Sequence, residues 1–288
     1  MTPQTAARIR DRGEQGDPDA LAMSAVLAAL GAWEPQNWAV ALSRLARAAE
    51  AEAPGALEQL RLLAKSQAAD ADPHSLARRV DLAGWLTSPA KTRLLNEPRV
   101  SAVAAFLDQQ TCEWLIGRAD GRVARAMVFD PEHGGARLET SRSNSAFEFA
   151  LEDLDVVTVA VRARIAAAVG LPPGALEPIQ VLHYAPGERF ERHFDFLDVN
   201  VPGYAADVRR RGQRAATFLV YLNDGFEGGE TDFPLVGLKH KGARGDALMF
   251  ANVDPTGAPD RRTLHAGLPP TSGEKWLLSQ WIRDRAPA

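Results

Sequence analysis

The sequence predicts an α+β protein, with an all-α stretch leading into a β-rich one. Residues 1–90 are rich in alanine and leucine, with apolar positions at helical spacing between Asp-Pro starts and glycine stops. From Ile179 the pattern changes to short apolar runs separated by glycine turns: IQVLHY, RFERHFD, ATFLVYL, GETDF, GLKHK, DALMFA and LLSQWI. Short strands this closely spaced predict an antiparallel sandwich or jelly roll. A composition break falls between the two patterns, where SPAKTRLLNEPR combines two prolines with several charges. The expected division is a helical domain over 1–90 and a second domain over 91–288.

In chain order, Asp17 and Pro18 provide an N-cap and a first helical position for DALAMSAVLAAL, and Gly31 closes that helix. WAVALSRLARAAE and ALEQLRLLAKSQ follow at helical spacing, and DPHSLARRVDLAGWL opens on a second Asp-Pro. Ala20-Leu21 and Ala56-Leu57 lie 56 − 20 = 36 residues apart in similar settings, a period that suits paired helical repeats. A plain helical bundle fits the same pattern. RVSAVAAFLDQQTCEWLIGRA reads as strand then helix, ARAMVFDPEHGGARLETSRSNSAF as strands about a Gly-Gly turn. LEDLDVVTVAVRARIAAAVG reads as a helix expected on the outside of the following sheet.

The formal net charge is −4, so no global charge argues for nucleic acid. The single cysteine, Cys112, excludes an internal disulfide and fits a reducing cytoplasm. The first residues lack the apolar core of a signal peptide, and no run of about 18 apolar residues occurs, so no membrane span is expected.

Three residues form a candidate metal set. His193 and Asp195 sit two apart on a predicted strand, which sends both side chains to one face. His265 lies 265 − 195 = 70 residues on, in another short strand. Two imidazoles and one carboxylate, with positions left open, are the ligand set of a non-haem Fe(II) oxygenase. Zn(II) also accepts this set, but no general base for a zinc hydrolase is evident. Either histidine alone would read as ordinary packing.

Lys275 lies 275 − 265 = 10 residues past the distal histidine, within GEKW. With VLHYAPGERFERHFD, QRAATFLVYLND, GGETDFP, KGARGDALMF and LHAG…GEKWLLSQWI in that order, the chain from about Arg99 resembles the prolyl 4-hydroxylase family of Fe(II)/2-oxoglutarate dioxygenases. The resemblance implies a double-stranded β-helix (jelly-roll) oxygenase domain. It implies His193, Asp195 and His265 as iron ligands, with 2-oxoglutarate and O2 as cosubstrates and ascorbate as a further reductant. The N-terminal fragments GDPDAL and LARAAE resemble Sel-one-type, tetratricopeptide-like repeats.

By the same resemblance Lys275 pairs with the far carboxylate of 2-oxoglutarate, in keeping with the cost of burying an ammonium without an anion. Tyr184 and Thr231 match positions that hydrogen-bond that cosubstrate. Arg214 and Trp281 match positions that line a peptide groove, though each could equally be structural. The family's usual tyrosine three residues before the first metal histidine is Phe190 here, which bears on proline as the substrate. The loop 199–213, with Arg209, Arg210 and Arg211, falls where the family has a mobile lid. It is expected to close over substrate, its basic run either favouring an acidic substrate or simply being solvated. His74, His133, His183 and His240 read as bystanders.

The leading expectation is hydroxylation of a prolyl residue in a peptide or protein, the helical region recruiting a protein partner. The alternatives are a hydroxylase of a free amino acid or small metabolite, and a non-catalytic helical-repeat adaptor.

Overall fold

The computed structural model describes residues 1–68, 71–126, 128–129, 136–137 and 141–286, with the side chains of 128–129 and 136–137 excepted. The chain groups into two compact units, 1–87 with 149–165, and 88–148 with 166–288.

The first unit begins with α1 (Pro3–Glu14), α2 (Pro18–Leu30), α3 (Trp38–Glu50), α4 (Ala56–Leu63), α5 (Pro73–Arg79) and α6 (Leu82–Trp85). The Asp17 carboxylate accepts from the Ala20 amide at 2.9 Å and so caps α2, Pro18 fits the first turn, and Gly31 ends it in the left-handed region. Asn37 and Asp72 cap α3 and α5 the same way. α2 packs between α1 and α3, with Leu21, Ala25, Val26 and Leu27 of α2 and Leu42 and Leu45 of α3 buried. Small alanines let the helices approach closely. The stretch DPHSLARRVDLAGWL is two helices rather than one. Val80 is extended, and Asp81 starts α6 by accepting from the Gly84 amide at 2.9 Å.

The remaining elements are β1 (Thr92–Leu95), β2 (Val100–Val103), α7 (Gln109–Ala119), β3 (Ala124–Arg125), β4 (Val128–Phe129), β5 (Ala136–Arg137), β6 (Ser145–Glu148) and α8 (Val156–Val169). They continue as β7 (Gln180–Tyr184), β8 (Phe190–His193), α9 (Pro202–Arg211), β9 (Arg214–Tyr221), β10 (Glu227–Gly228), β11 (Thr231–Phe233) and β12 (Leu238–His240). The chain ends in β13 (Ala247–Ala251), β14 (His265–Gly267), β15 (Pro270–Ser272) and β16 (Lys275–Arg283). The sequence places α8 outside the following sheet. Its residues through Ile165 instead group with the N-terminal helices, where the Gln59 side chain accepts from the Val156 amide at 3.0 Å.

The second unit holds an eight-stranded antiparallel sheet in the order β1-β2-β13-β9-β16-β7-β6-β3 and a four-stranded one in the order β12-β11-β14-β8. One apolar cluster draws on both: Leu182, Tyr184, Leu219, Tyr221, Leu248, Phe250 and Leu277 from the large sheet, Phe233 from the small one. Phe190 and Leu238 pack on it from β8 and β12. The expected Gly134-Gly135 turn and His133 lie outside the described residues.

Candidate active site

Strand register assembles the site. β8 and β14 pair antiparallel with His193 opposite His265, while β7 and β16 pair with Tyr184 opposite Lys275. β11 lies beside β14 and brings Thr231 opposite Gly267. The strand carrying His193 ends at that residue, so strand alternation does not place Asp195. The chain bends, and the bend returns the Asp195 carboxylate to His193.

The outcome is a convergent donor set. The Nε2 atoms of His193 and His265 lie 3.5 Å from Oδ1 and Oδ2 of Asp195 respectively. Both Nδ1 atoms face backbone carbonyls, His193 that of Glu191 at 2.7 Å and His265 that of Thr263 at 2.9 Å. Nδ1–H donation to those carbonyls fixes the tautomer that leaves each Nε2 lone pair free. Burial and the neighbouring His193 push His265 down to about 4, so it is a neutral donor at neutral pH. Burial alone would raise Asp195, but the two imidazoles and the Thr217 hydroxyl hold it well below the usual carboxylate range. Among the described residues these three are the group whose ligand atoms lie within 4.8 Å of one another. Two imidazole nitrogens and one carboxylate oxygen this close together fit a divalent ion with open coordination positions.

Lys275 is fully buried at the inner end of the same cleft. Its ammonium donates to the Gly229 carbonyl at 2.8 Å and lies 4.9 Å from the centroid of the Tyr184 ring. Among the described residues no carboxylate reaches ion-pair distance. Burial pushes its pKa down to about 7, with Glu230 opposing and Lys241 adding to the effect. Gly228 and Gly229 are both left-handed (φ 68° and 72°), which lets the GGET turn aim a carbonyl at the ammonium. A buried cation lacking a protein anion fits the distal carboxylate of a diacid.

The model of the 2OG-Fe(II) oxygenase superfamily matches residues 179–283. Prolyl 4-hydroxylase 1 of Arabidopsis thaliana is 33% identical over 203 residues, covering 66% of this chain and 70% of that protein. The chain belongs to the prolyl 4-hydroxylase family of 2OG-Fe(II) oxygenases. Probable prolyl 4-hydroxylase 7 of the same plant is 32% identical over 68% of this chain and 66% of its own length. The viral collagen prolyl hydroxylase of Paramecium Bursaria Chlorella virus-1 has 29% identity and a TM-score of 0.48, over 64% of this chain and 95% of that one. Fe(II) and 2-oxoglutarate are the cofactor and cosubstrate of this family.

Tyr184, Thr231 and Trp281 line the cleft. Tyr184 is buried, with its hydroxyl pKa pushed up to about 12. Thr231 Oγ1 lies 3.1 Å from Tyr221 Oη. Arg214 is not among the lining side chains. Its Nε and Nη2 donate to Glu177 at 2.8 and 2.9 Å, and its guanidinium stacks 3.7 Å from the Trp281 ring centroid. It therefore backs Trp281 rather than facing the cleft. The expected lid loop is largely the helix α9, and Arg210 and Arg211 lie 3.5 and 3.8 Å from Asp207. Phe190 stacks on His193, centroids 3.5 Å apart at 12°.

Sequence reasoning missed three polar residues here. Thr217 Oγ1 donates to Asp195 Oδ2 at 2.6 Å, and Asn252 Nδ2 donates to Thr217 Oγ1 at 3.0 Å. The third, Arg142, is only 4% exposed and lines the cleft beside Phe190. Its Nε donates to Asn144 Oδ1 at 3.0 Å, and burial lowers its pKa. The remaining histidines hold other roles: His74 meets Glu50 and His183 meets Glu274, each at 3.1 Å.

Proposed function

We propose that this protein hydroxylates a prolyl residue in a peptide or protein, with coupled decarboxylation of 2-oxoglutarate to succinate and CO2. The observation that carries the reading is the pairing of a two-histidine, one-aspartate donor set with a buried lysine in one cleft. Bound iron would bring O2 to 2-oxoglutarate, so that one oxygen atom of O2 goes into succinate as CO2 leaves and the other replaces the substrate C–H by C–OH. The chain does the rest. His193, Asp195 and His265 hold the metal, and the Asn252–Thr217 chain of hydrogen bonds fixes the Asp195 carboxylate. Lys275 pairs with the distal carboxylate of 2-oxoglutarate, while Tyr184 and Thr231 offer it hydroxyls. Trp281 and Phe190 supply apolar walls that exclude water, and Arg142 turns its remaining N–H groups to acceptors on the substrate.

The reading extends to finer points. The two facing sheets are taken as a double-stranded β-helix, and the 36-residue spacing as a helical-repeat-like region that binds a protein. Ascorbate serves as auxiliary reductant. The single, buried Cys112 supports a cytoplasmic location. The relatives' names favour a peptide substrate over a free amino acid. Mass spectrometry of proline-containing peptides incubated with Fe(II), 2-oxoglutarate and O2 tests this. A gain of one oxygen on proline with matching succinate is expected. Oxygen gained only by a free amino acid would transfer the reading to a small-molecule hydroxylase.

A further inference from the structure

A concave groove of about 480 Å³ opens among α1, α2 and α3, far in sequence from every oxygenase residue. Leu21 and Val40 contribute apolar surface to it, Ser43 a hydroxyl, and Arg10, Arg44 and Arg47 three guanidinium groups. Gly13, at the end of α1, lines the groove where α1 approaches the start of α2. A Cβ there would meet the Ala20 and Leu21 backbone at 3.4 Å.

The three arginines differ in what they touch. Arg44 is satisfied: Nη1 and Nη2 donate to Glu34 at 2.7 and 3.2 Å, and Nη1 also to the Ser24 carbonyl at 2.9 Å. Arg47 has only a long contact, 3.4 Å, to the Gly13 carbonyl. Arg10 has neither a hydrogen bond nor an ion pair among the described residues, and its Nη1 is buried. A buried N–H without an acceptor costs about 1–3 kcal/mol, more when charged. Arg10 as a residue is half-buried, and its other N–H groups, likewise without an acceptor among the described residues, are the ones a ligand in the groove can meet. Glu14 is the single carboxylate among the described lining residues, and the chain as a whole carries −4. The cationic character is therefore local to the groove.

We propose that this groove docks an extended acidic segment of a protein partner. Arg10 and Arg47 receive carboxylates of that segment through the two-pronged geometry a guanidinium offers. Alternate apolar side chains of the segment rest on Leu21 and Val40. The proposal rests on the reading of the N-terminal helices as a partner-binding region and uses nothing of the iron chemistry.

The test is fluorescence anisotropy of a labelled peptide of alternating aspartate and leucine, with the full chain and without iron or 2-oxoglutarate. Saturable binding is expected, weakened about tenfold or more by Arg47→Gln. Ser43→Glu, an exposed position on α3 that puts a like charge in the groove, should do the same. Arg78→Gln, exposed on α5, should leave binding unchanged, and a peptide with asparagine for aspartate should not bind. The proposal is overturned if the aspartate peptide fails to bind. It is equally overturned if Arg47→Gln and Ser43→Glu bind like the parent, or if the asparagine peptide binds as well. Succinate formation by the same variants is a separate readout, so loss of the docking site and loss of oxygenase activity are told apart.

Discussion

A buried ammonium with no protein anion is under electrostatic tension, and Lys275 shows what the tension does. With its pKa pushed to about 7, the folded chain holds less proton at this site than the unfolded chain between that value and 10.5. Its contribution to stability therefore rises with pH across that window, and is least favourable below it. A bound carboxylate reverses this by drawing the proton back. At pH 8, 2-oxoglutarate binding to the Mn(II)-loaded protein should take up close to one proton, and at pH 6 almost none. Calorimetry in buffers of different ionisation enthalpy reads the difference, and Lys275→Met should abolish it; equal uptake at both pH values would contradict it. Thr217→Val removes the bond to Asp195, and iron affinity should fall about 10–100-fold in a metal titration. The sequence makes Lys275 legible because GEKW stands at a fixed distance from His265. Thr217, Asn252 and Arg142 carry no such spacing signature. Thr217 and Asn252 are lone polar residues beside apolar ones, Arg142 is one of a polar run, and only the fold shows where each points.

At the scale of elements, what holds α9 explains why sequence reasoning left it as a loop. None of its residues is buried, so no apolar stripe marks it. It is held by charge at its far end. Arg285 Nη2 donates to the Val208 and Arg209 carbonyls at 3.1 and 3.0 Å, and Arg283 to the Gly212 carbonyl and to Asp207, both at 2.7 Å. Arg283 also pairs with Glu177, which grips Arg214 behind Trp281. Glu177 thus sits between the buried Arg283 and the half-buried Arg214 guanidinium groups. Glu177→Gln should destabilise the fold by about 3–5 kcal/mol, read as a lower urea midpoint. A change below about 1 kcal/mol would show the cluster to be solvated. β7, β8, β9, β11, β12, β13 and β16 were legible because apolar runs and glycine turns delimit them. β10 and β15 fall on Glu227-Gly228 and Pro270-Thr271-Ser272, which hold no apolar alternation to see.

For the molecule as a whole, the grouping of 149–165 with residues 1–87 makes the first unit discontinuous in sequence. Val156, Val157, Ala160, Val161 and Ile165 are buried. A chain starting at Ser88 should therefore expose them, bind a hydrophobic dye and aggregate on size exclusion; a soluble, dye-silent chain would contradict the grouping. The helical region could be read from Ala/Leu periodicity and Asp-Pro starts. The placement of α8 could not, because a helix apolar on most sides does not declare its neighbour. The claim on which the account depends is that His193, Asp195 and His265 gather one Fe(II) in reach of a 2-oxoglutarate held by Lys275. The most direct measurement is the visible absorption of the protein under argon with Fe(II) and 2-oxoglutarate. A weak charge-transfer band is expected, and it is lost in His265→Ala. No band in the parent protein, or an unchanged band in His265→Ala, would contradict it.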